Sequence, residues 1–157
     1  MIALKTILVP TDFSDSSVAA LRYAKALAAA FDASVHVLHV VQEPFAQPWA
    51  VEAHGFSLAA MQDDWIREAK TRVESTLTPE EQTRFKASLE TVLGHPVVEI
   101  LKHAETHAID LIVMGTHGRG PLGHMVMGSV AERIVRKAPC PVLTVRQSDR
   151  EFVVDEP

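Results

Sequence analysis

The sequence has little of what would classify it at once. Cys140 is its only cysteine, so no intrachain disulfide can staple the fold, which suits a reducing compartment. Flanked by Pro139 and Pro141 and followed by an apolar run, Cys140 reads as a small buried hydrophobe. No apolar run approaches the roughly 18 residues needed to span a membrane. The opening stretch, "MIALKTILVPTD", is too short and too soon interrupted for a signal peptide. The chain therefore reads as soluble and cytoplasmic. Positive charge is also in deficit: 15 basic residues against 20 acidic ones give a formal net charge of −5. A duplex nucleic-acid binder carries a basic footprint, and none is visible. Any anion must be held by a local device. Glycine is scarce and unevenly spread, with five of the seven glycines inside "GTHGRGPLGHMVMGSV", Gly115 to Val130.

What is present is ordinary for one globular domain. A chain of 157 residues, 47% apolar and 22% charged, can hold a core without staples. Residues 1–147 read as that domain, and 148–157 as an acidic tail. Leu4–Pro10 is a short apolar run, a buried strand. The helix that follows should be capped by Ser14 or Asp15, with Val18, Leu21, Ala24, Leu27, Ala28 and Phe31 at helical spacing. Ser34–Val41 is a second strand, and a loop with two prolines comes next. A helix is expected from about Ser57 to Leu77. "TPEE" at Thr78–Glu81 carries a capping-box pattern with proline at the first helical position. "KASLETVLG" is a third strand, a helix starts near Pro96, and Asp110–Gly115 is a fourth strand. "SVAERIVRKA" is a helix after the glycine-rich stretch, and "CPVLTVR" a fifth strand. Alternating strands and helices imply βαβ units, a parallel sheet and helices on both faces.

Open parallel sheets bind ligands at the carboxyl ends of strands, where strand order reverses. Two strand ends here carry chemistry: strand one ends in "PTD" and strand four in "MGTHG". If the two are neighbours, Asp12 and the glycine stretch face one crevice. Gly115 and Gly118 follow the strand directly, and Gly128 and Ser129 open the next helix. Bare backbone amides can approach a phosphate, helped by the dipole of that helix. Ser129 can add a hydroxyl or cap the helix, and His117 and Arg119 can add positive charge. Asp12 can accept hydrogen bonds from ribose hydroxyls. The pattern is neither G-x-x-x-x-G-K-[ST] nor G-x-G-x-x-G. The residues alone leave nucleotide binding, another anion, and a plain surface loop with a capped helix all open.

"GTHGRGPLGHMVMGS" reads G-x2-G-x9-G-S, at Gly115, Gly118, Gly128 and Ser129. With "ILVPTDFS" near the start and "LHVV" on strand two, it resembles the universal stress protein family, in the branch that binds ATP. The resemblance runs from about Ile2 to Arg146. It implies an open, Rossmann-like, five-stranded parallel sheet of order 3-2-1-4-5, with ATP across the ends of strands one and four. It further implies Pro10, Thr11 and Asp12 at the adenosine end and Val40 against adenine. Gly115, Thr116, His117, Gly118, Arg119, Gly120, Gly128, Ser129 and Val130 would surround the phosphates. The resident ligand could equally be ADP or AMP. Mg2+ would accompany the phosphates, with Ser129 a candidate ligand. The resemblance also implies a homodimer through the last strand. That strand is apolar and lacks the charges that protect an edge, so symmetric pairing is one cover and the tail "EFVVDEP" another.

Function is expected to be regulation or sensing in a stress response, with at most slow ATP hydrolysis and a regulatory protein partner. No G-x-S-x-G elbow or convincing general base is present, which weighs against an ATPase or nucleotidyl transferase on the same scaffold. A nucleotide-free interaction module is the third option. Elsewhere, "HAETH" sets His103 and His107 one helical turn apart, a spacing able to hold zinc. No third ligand is obvious, so the pair reads as solvated boundary histidines and no metal site is assigned. His36 and His39, on strand two, read as buried residues with hydrogen-bond partners. Phe45, Trp49 and Phe56 read as covers for the core edge, with one of them as a shield for an adenine or a contact for a partner as the alternative.

Overall fold

The computed structural model describes residues 1–42, 57–116, 128–146 and 153. Five strands, β1 (Thr6–Pro10), β2 (Ser34–Val41), β3 (Ser88–Leu93), β4 (Leu111–Gly115) and β5 (Val142–Val145), form one sheet. The helices are α1 (Asp15–Phe31), α2 (Leu58–Glu74), α3 (Pro79–Arg84), α4 (Pro96–Thr106) and α5 (Ser129–Lys137). Every strand pairing is parallel, and the order is β3-β2-β1-β4-β5. The open doubly wound fold expected from the alternation is the one found.

Both faces of the sheet are covered, which explains why its strands are apolar at successive positions. Ile7, Val9, Val35, Val37 and Val113 pack under α1 and α2, together with Ala20, Ala24 and Val73. Leu8, Leu38, Ile112 and Met114 point the other way, under Val97 and Ile100 of α4 and Ile134 of α5. Cys140 is half-buried against this second layer, and burial raises its thiol pKa.

Local chemistry sets the element ends. Ser14 caps α1, accepting from the Ser17 amide. Thr78 and Glu81 form the expected capping box of α3, Thr78 Oγ1 accepting from the Glu81 amide and Glu81 Oε2 from the Thr78 amide. Asp110 Oδ2 accepts from the Lys5 and Thr6 amides, at 2.8 and 3.0 Å, and so fastens the start of β1 beside β4.

Three expectations need correction. Val18 and Phe31 are exposed, at 55% and 38%; the buried face of α1 keeps Leu21, Ala24 and Ala28 of the expected set and adds Ser16, Ser17, Ala19, Ala20 and Tyr23. Small residues let α1 approach the sheet closely, which an apolar count does not register. Gly128, not Ser129, occupies the cap of α5, and Ser129 is its first helical residue. His103 is not a solvated boundary residue: it is 6% exposed. His107 is exposed, as expected. Among the described residues, no helix is long and apolar enough to cross a membrane.

Candidate functional site

The order β3-β2-β1-β4-β5 makes β1 and β4 neighbours whose chains leave the sheet to opposite sides, β1 toward β2 and β4 toward β5. A crevice opens at their carboxyl ends, where this fold class places ligands. Its volume is about 790 Å3, within the range of small-molecule and cofactor pockets.

β1 delivers Pro10, Thr11 and Asp12 to one side. Asp12 Oδ1 accepts from the Ser14 amide at 3.0 Å and from the Ser14 hydroxyl, which fixes the carboxylate at the start of α1. Its other oxygen is the one that can turn to a ligand. β2 delivers His39 and Val40. His39 Nδ1 donates to the Thr11 carbonyl at 2.7 Å and so ties the two strand ends together.

β4 and α5 form the opposite side, with Gly115, Thr116, Gly128, Ser129 and Val130. The Thr116 amide donates to the Val145 carbonyl at 3.0 Å, and the Gly128 amide donates to the Thr116 carbonyl at 2.7 Å. The Gly128 N–H is thus spent in joining strand to helix. The donors that face outward from the start of α5 are the amides of Ser129, Val130 and Ala131, which have no partner within the helix. Their orphan N–H groups and the helix dipole make a suitable seat for an anion.

Gly115 has a structural reason that the sequence did not reveal. A side chain there would run into Ser16, both its hydroxyl and its backbone. The missing Cβ lets α1 cross tightly over β4.

Of the thirteen residues singled out from the sequence, nine line this crevice: Pro10, Thr11, Asp12, Val40, Gly115, Thr116, Gly128, Ser129 and Val130. His117, Gly118, Arg119 and Gly120 lie outside the described residues, as do Phe45, Trp49 and Phe56.

With that geometry in place, comparison with known proteins is decisive. Residues 3–146 match the model of the universal stress protein family. The chain belongs to that family. Universal stress protein MJ0531 of Methanocaldococcus jannaschii is 36% identical over 148 residues, covering 94% of this chain and 85% of the relative. The solved structure of MJ0577, a universal stress protein of the same organism, superposes with a TM-score of 0.76 at 32% identity, over 95% of this chain and 100% of the other. A universal stress protein crystallised with cAMP superposes with a TM-score of 0.59 at 27% identity, over 94% of this chain and 100% of that one.

The crevice of this family member has a wall that the sequence did not announce. Trp65, Glu68, Ala69 and Arg72 line it from one face of α2. Their spacing of three and four is the available signal, but the same spacing marks any helix packed on a core. Phe13 joins them. It adopts φ 62, a left-handed conformation rare for a bulky residue. Its ring packs 4.5 Å from the His39 ring, and the Arg72 guanidinium lies 4.0 Å above its centre. Strain of this kind persists where the surroundings over-determine it, typically at ligand sites. Glu132 also lines the crevice, and it is held by Arg136 at 2.9 Å.

Proposed function

We propose that this universal stress protein binds ATP in the β1–β4 crevice and serves as a regulatory or sensor protein in a stress response. One observation carries the reading: Asp12, at the end of β1, and the first turn of α5 face each other across a single crevice. The acid suits ribose hydroxyls, and the orphan amides suit phosphates. Pro10, Thr11 and Val40 supply the flanking surface for the nucleoside, with Gly115, Thr116, Ser129 and Val130 toward the phosphates. His117, Gly118, Arg119 and Gly120 complete the phosphate side on the strength of the sequence pattern. Support comes also from the relative crystallised with cAMP, an adenine nucleotide. ADP and AMP suit the same groups. Mg2+ would enter with the phosphates, and the Ser129 hydroxyl is the protein group on offer to it.

Binding is favoured over turnover. Hydrolysis needs a carboxylate aimed at an attacking water. Of the three carboxylates that line the crevice among the described residues, Asp12 is held through one oxygen by Ser14, Glu132 pairs with Arg136, and Glu68 stands on the α2 wall, so the preference for binding rests on the lack of a recognisable catalytic motif in the sequence. Nucleotide occupancy would act by changing the surface between Gly115 and Gly128 that a partner protein meets. The protein would work in the cytoplasm, as a homodimer joined through β5.

The test is to denature the purified protein, identify what small molecule it releases, and titrate the stripped protein with ATP by calorimetry. An adenine nucleotide on release and one ATP bound per chain are expected. No released nucleotide and no heat of binding would leave a nucleotide-free interaction module. Sustained turnover above roughly 1 s−1, the low end of typical enzymes, would favour an ATPase instead.

A further inference from the structure

On the other side of the molecule's chemistry stands a cluster of histidines. His36 of β2 and His103 and His107 of α4 and its C-cap each place a ring nitrogen within 4.8 Å of the other two. His36 Nδ1 and His103 Nε2 share a hydrogen bond of 3.0 Å. The His103 and His107 rings stack with centroids 4.0 Å apart, and the His36 ring meets both edge-on, at 5.3 and 5.4 Å. The third ligand missing from "HAETH" thus arrives from a strand 67 residues earlier.

The outward nitrogens are held in the way that metal-binding histidines are held. His107 Nδ1 donates to the His103 backbone carbonyl at 3.1 Å, which leaves the Nε2 lone pair for a ligand role. His103 Nδ1 lies 3.6 Å from Glu90 Oε2. The carboxylate favours the tautomer with the His103 proton on Nδ1, in which the Nε2 lone pair faces His36. A carbonyl or carboxylate behind each imidazole is the usual outer partner of a metal-ligating histidine. Metal binding also requires neutral rings. Burial, with the neighbouring histidines adding to it against the pull of Glu90, lowers the His103 pKa to about 4. Burial likewise lowers that of His36, helped by His107.

We infer that His36 Nδ1, His103 Nε2 and His107 Nε2 form a site for Zn2+ or a similar divalent transition-metal ion, with Glu90 as the outer partner of His103. Zn–N bonds of about 2.0–2.1 Å set nitrogens about 3.3 Å apart in a tetrahedron. The His36–His103 pair has to open by a few tenths of an ångström and turn its rings so that both lone pairs converge, and His107, exposed, has to leave the stack with His103 by turning about its side-chain bonds. The metal replaces the proton shared by His36 and His103, and that proton moves to His36 Nε2 in a change of tautomer. The exposed side of His107 leaves the fourth coordination position to water. A hydrogen-bonded trio without a metal is the plain alternative. Zn2+ titration separates the two. Bound metal would clip α4 to β2, the elements that bring Ile100 and Val40 to the crevice.

The test uses the full chain without an affinity tag, stripped by a chelator and titrated with Zn2+ by calorimetry, with Co2+ absorption as a readout of coordination. One equivalent should bind, and Co2+ should give the intense visible bands of a tetrahedral site. H107Q alters an exposed residue and should keep the fold, shown by an unchanged metal-free melt, while weakening Zn2+ at least tenfold. E90Q should weaken it by about tenfold or more through the outer partner alone. H95Q, at the exposed cap of α4, should change nothing. Failure of the wild type to bind one equivalent overturns the site. So does Zn2+ affinity untouched by H107Q, or lowered as much by H95Q.

Discussion

A Cβ on Gly115 would stand 2.5 Å from Ser16 Oγ and 2.7 Å from the Ser16 carbonyl carbon. The second contact is with backbone at the first turn of α1, which cannot rotate away. Gly115→Ala is therefore expected to lower stability by about 1–3 kcal/mol, the range for overpacking a filled site. Urea unfolding of the two proteins measures it. A variant as stable as the wild type would show that α1 can lift off β4 freely, and that the close approach has no energetic weight.

How much of this was legible beforehand depends on the range of the interaction. The capping box at Thr78 and Glu81 lies within four residues and was readable in full. So was β2, and the strand ending at Gly115 was readable to within one residue at its start, because apolar runs bounded by polar residues define them. The face of α1 was misread at Val18 and Phe31, since helical spacing says which residues align but not which side meets the sheet. The role of Gly115 stayed hidden because Ser16, its reason, is far away in the chain. The same holds for the histidines: His103 and His107 are visible as a pair, but only the fold sets His36 and Glu90 beside them. Arg72 and Phe13 reach the crevice through the packing of α2, which no local pattern encodes.

Ser129→Pro tests the anion seat at α5. Proline is favoured at the first helical position, and Gly128 already has the extended conformation, φ −57 and ψ 145, that a following proline requires. The helix should survive while one amide donor and one hydroxyl are removed. A hydrogen bond to a charged group contributes about 1.5–3 kcal/mol, so ATP affinity should fall by roughly 10- to 150-fold. AMP, with less charge to place there, should lose less. Equal ATP binding by variant and wild type would remove this turn of α5 from the site.

Glu81 should contribute to acid sensitivity. Partial burial pushes its carboxyl pKa upward, but the Lys25 hydrogen bond and the Thr78 amide outweigh that, and the net shift is downward. The Lys25 Nζ–Glu81 Oε1 distance is 2.7 Å. A carboxyl whose folded pKa lies below its unfolded value, about 4.3, adds stability above that value. The contribution is lost as pH falls through the folded pKa. Glu81→Gln should thus be less stable near neutral pH, by up to about 1 kcal/mol for a part-exposed pair, and nearly equal to wild type once the carboxyl is protonated. Urea midpoints measured from neutral to acid pH should converge. Curves that stay parallel over that range would rule out a role for the Lys25–Glu81 pair.

Asp32 ends α1 in the left-handed conformation, φ 53 and ψ 41, with its amide donating to the Ala28 carbonyl. Glycine takes that conformation without strain. What would be lost is the Asp32–Lys86 pair, 3.7 Å long with the Asp32 side chain 91% exposed, a pair of little worth. Asp32→Gly should raise stability by about 0.5 kcal/mol, or Tm by roughly 1–2 °C. A lower Tm would mean that the surface pair outweighs the backbone strain.

The proposed dimer has a sharper test in the direction of the β5 backbone. The Pro141 and Val145 carbonyls accept from the Ile112 and Thr116 amides, so residues 141 and 145 turn their polar groups toward β4. In a parallel ladder the direction alternates along the strand, and Val142 and Thr144 turn theirs to the open side. β5 is the last strand of the sheet, so this is the edge a second copy would pair with. Thr144→Pro removes an outward amide and leaves the bonds to β4 in place, a position where edge strands accept proline. Val153 packs against the core that holds Val145, so the tail after β5 is the competing cover. Sedimentation at matched concentration separates the two: pairing through β5 requires a two-chain mass for the wild type and a one-chain mass for Thr144→Pro. A wild type that sediments as a single chain, or a variant that keeps the two-chain mass, would assign the edge to the tail or the dimer to another surface.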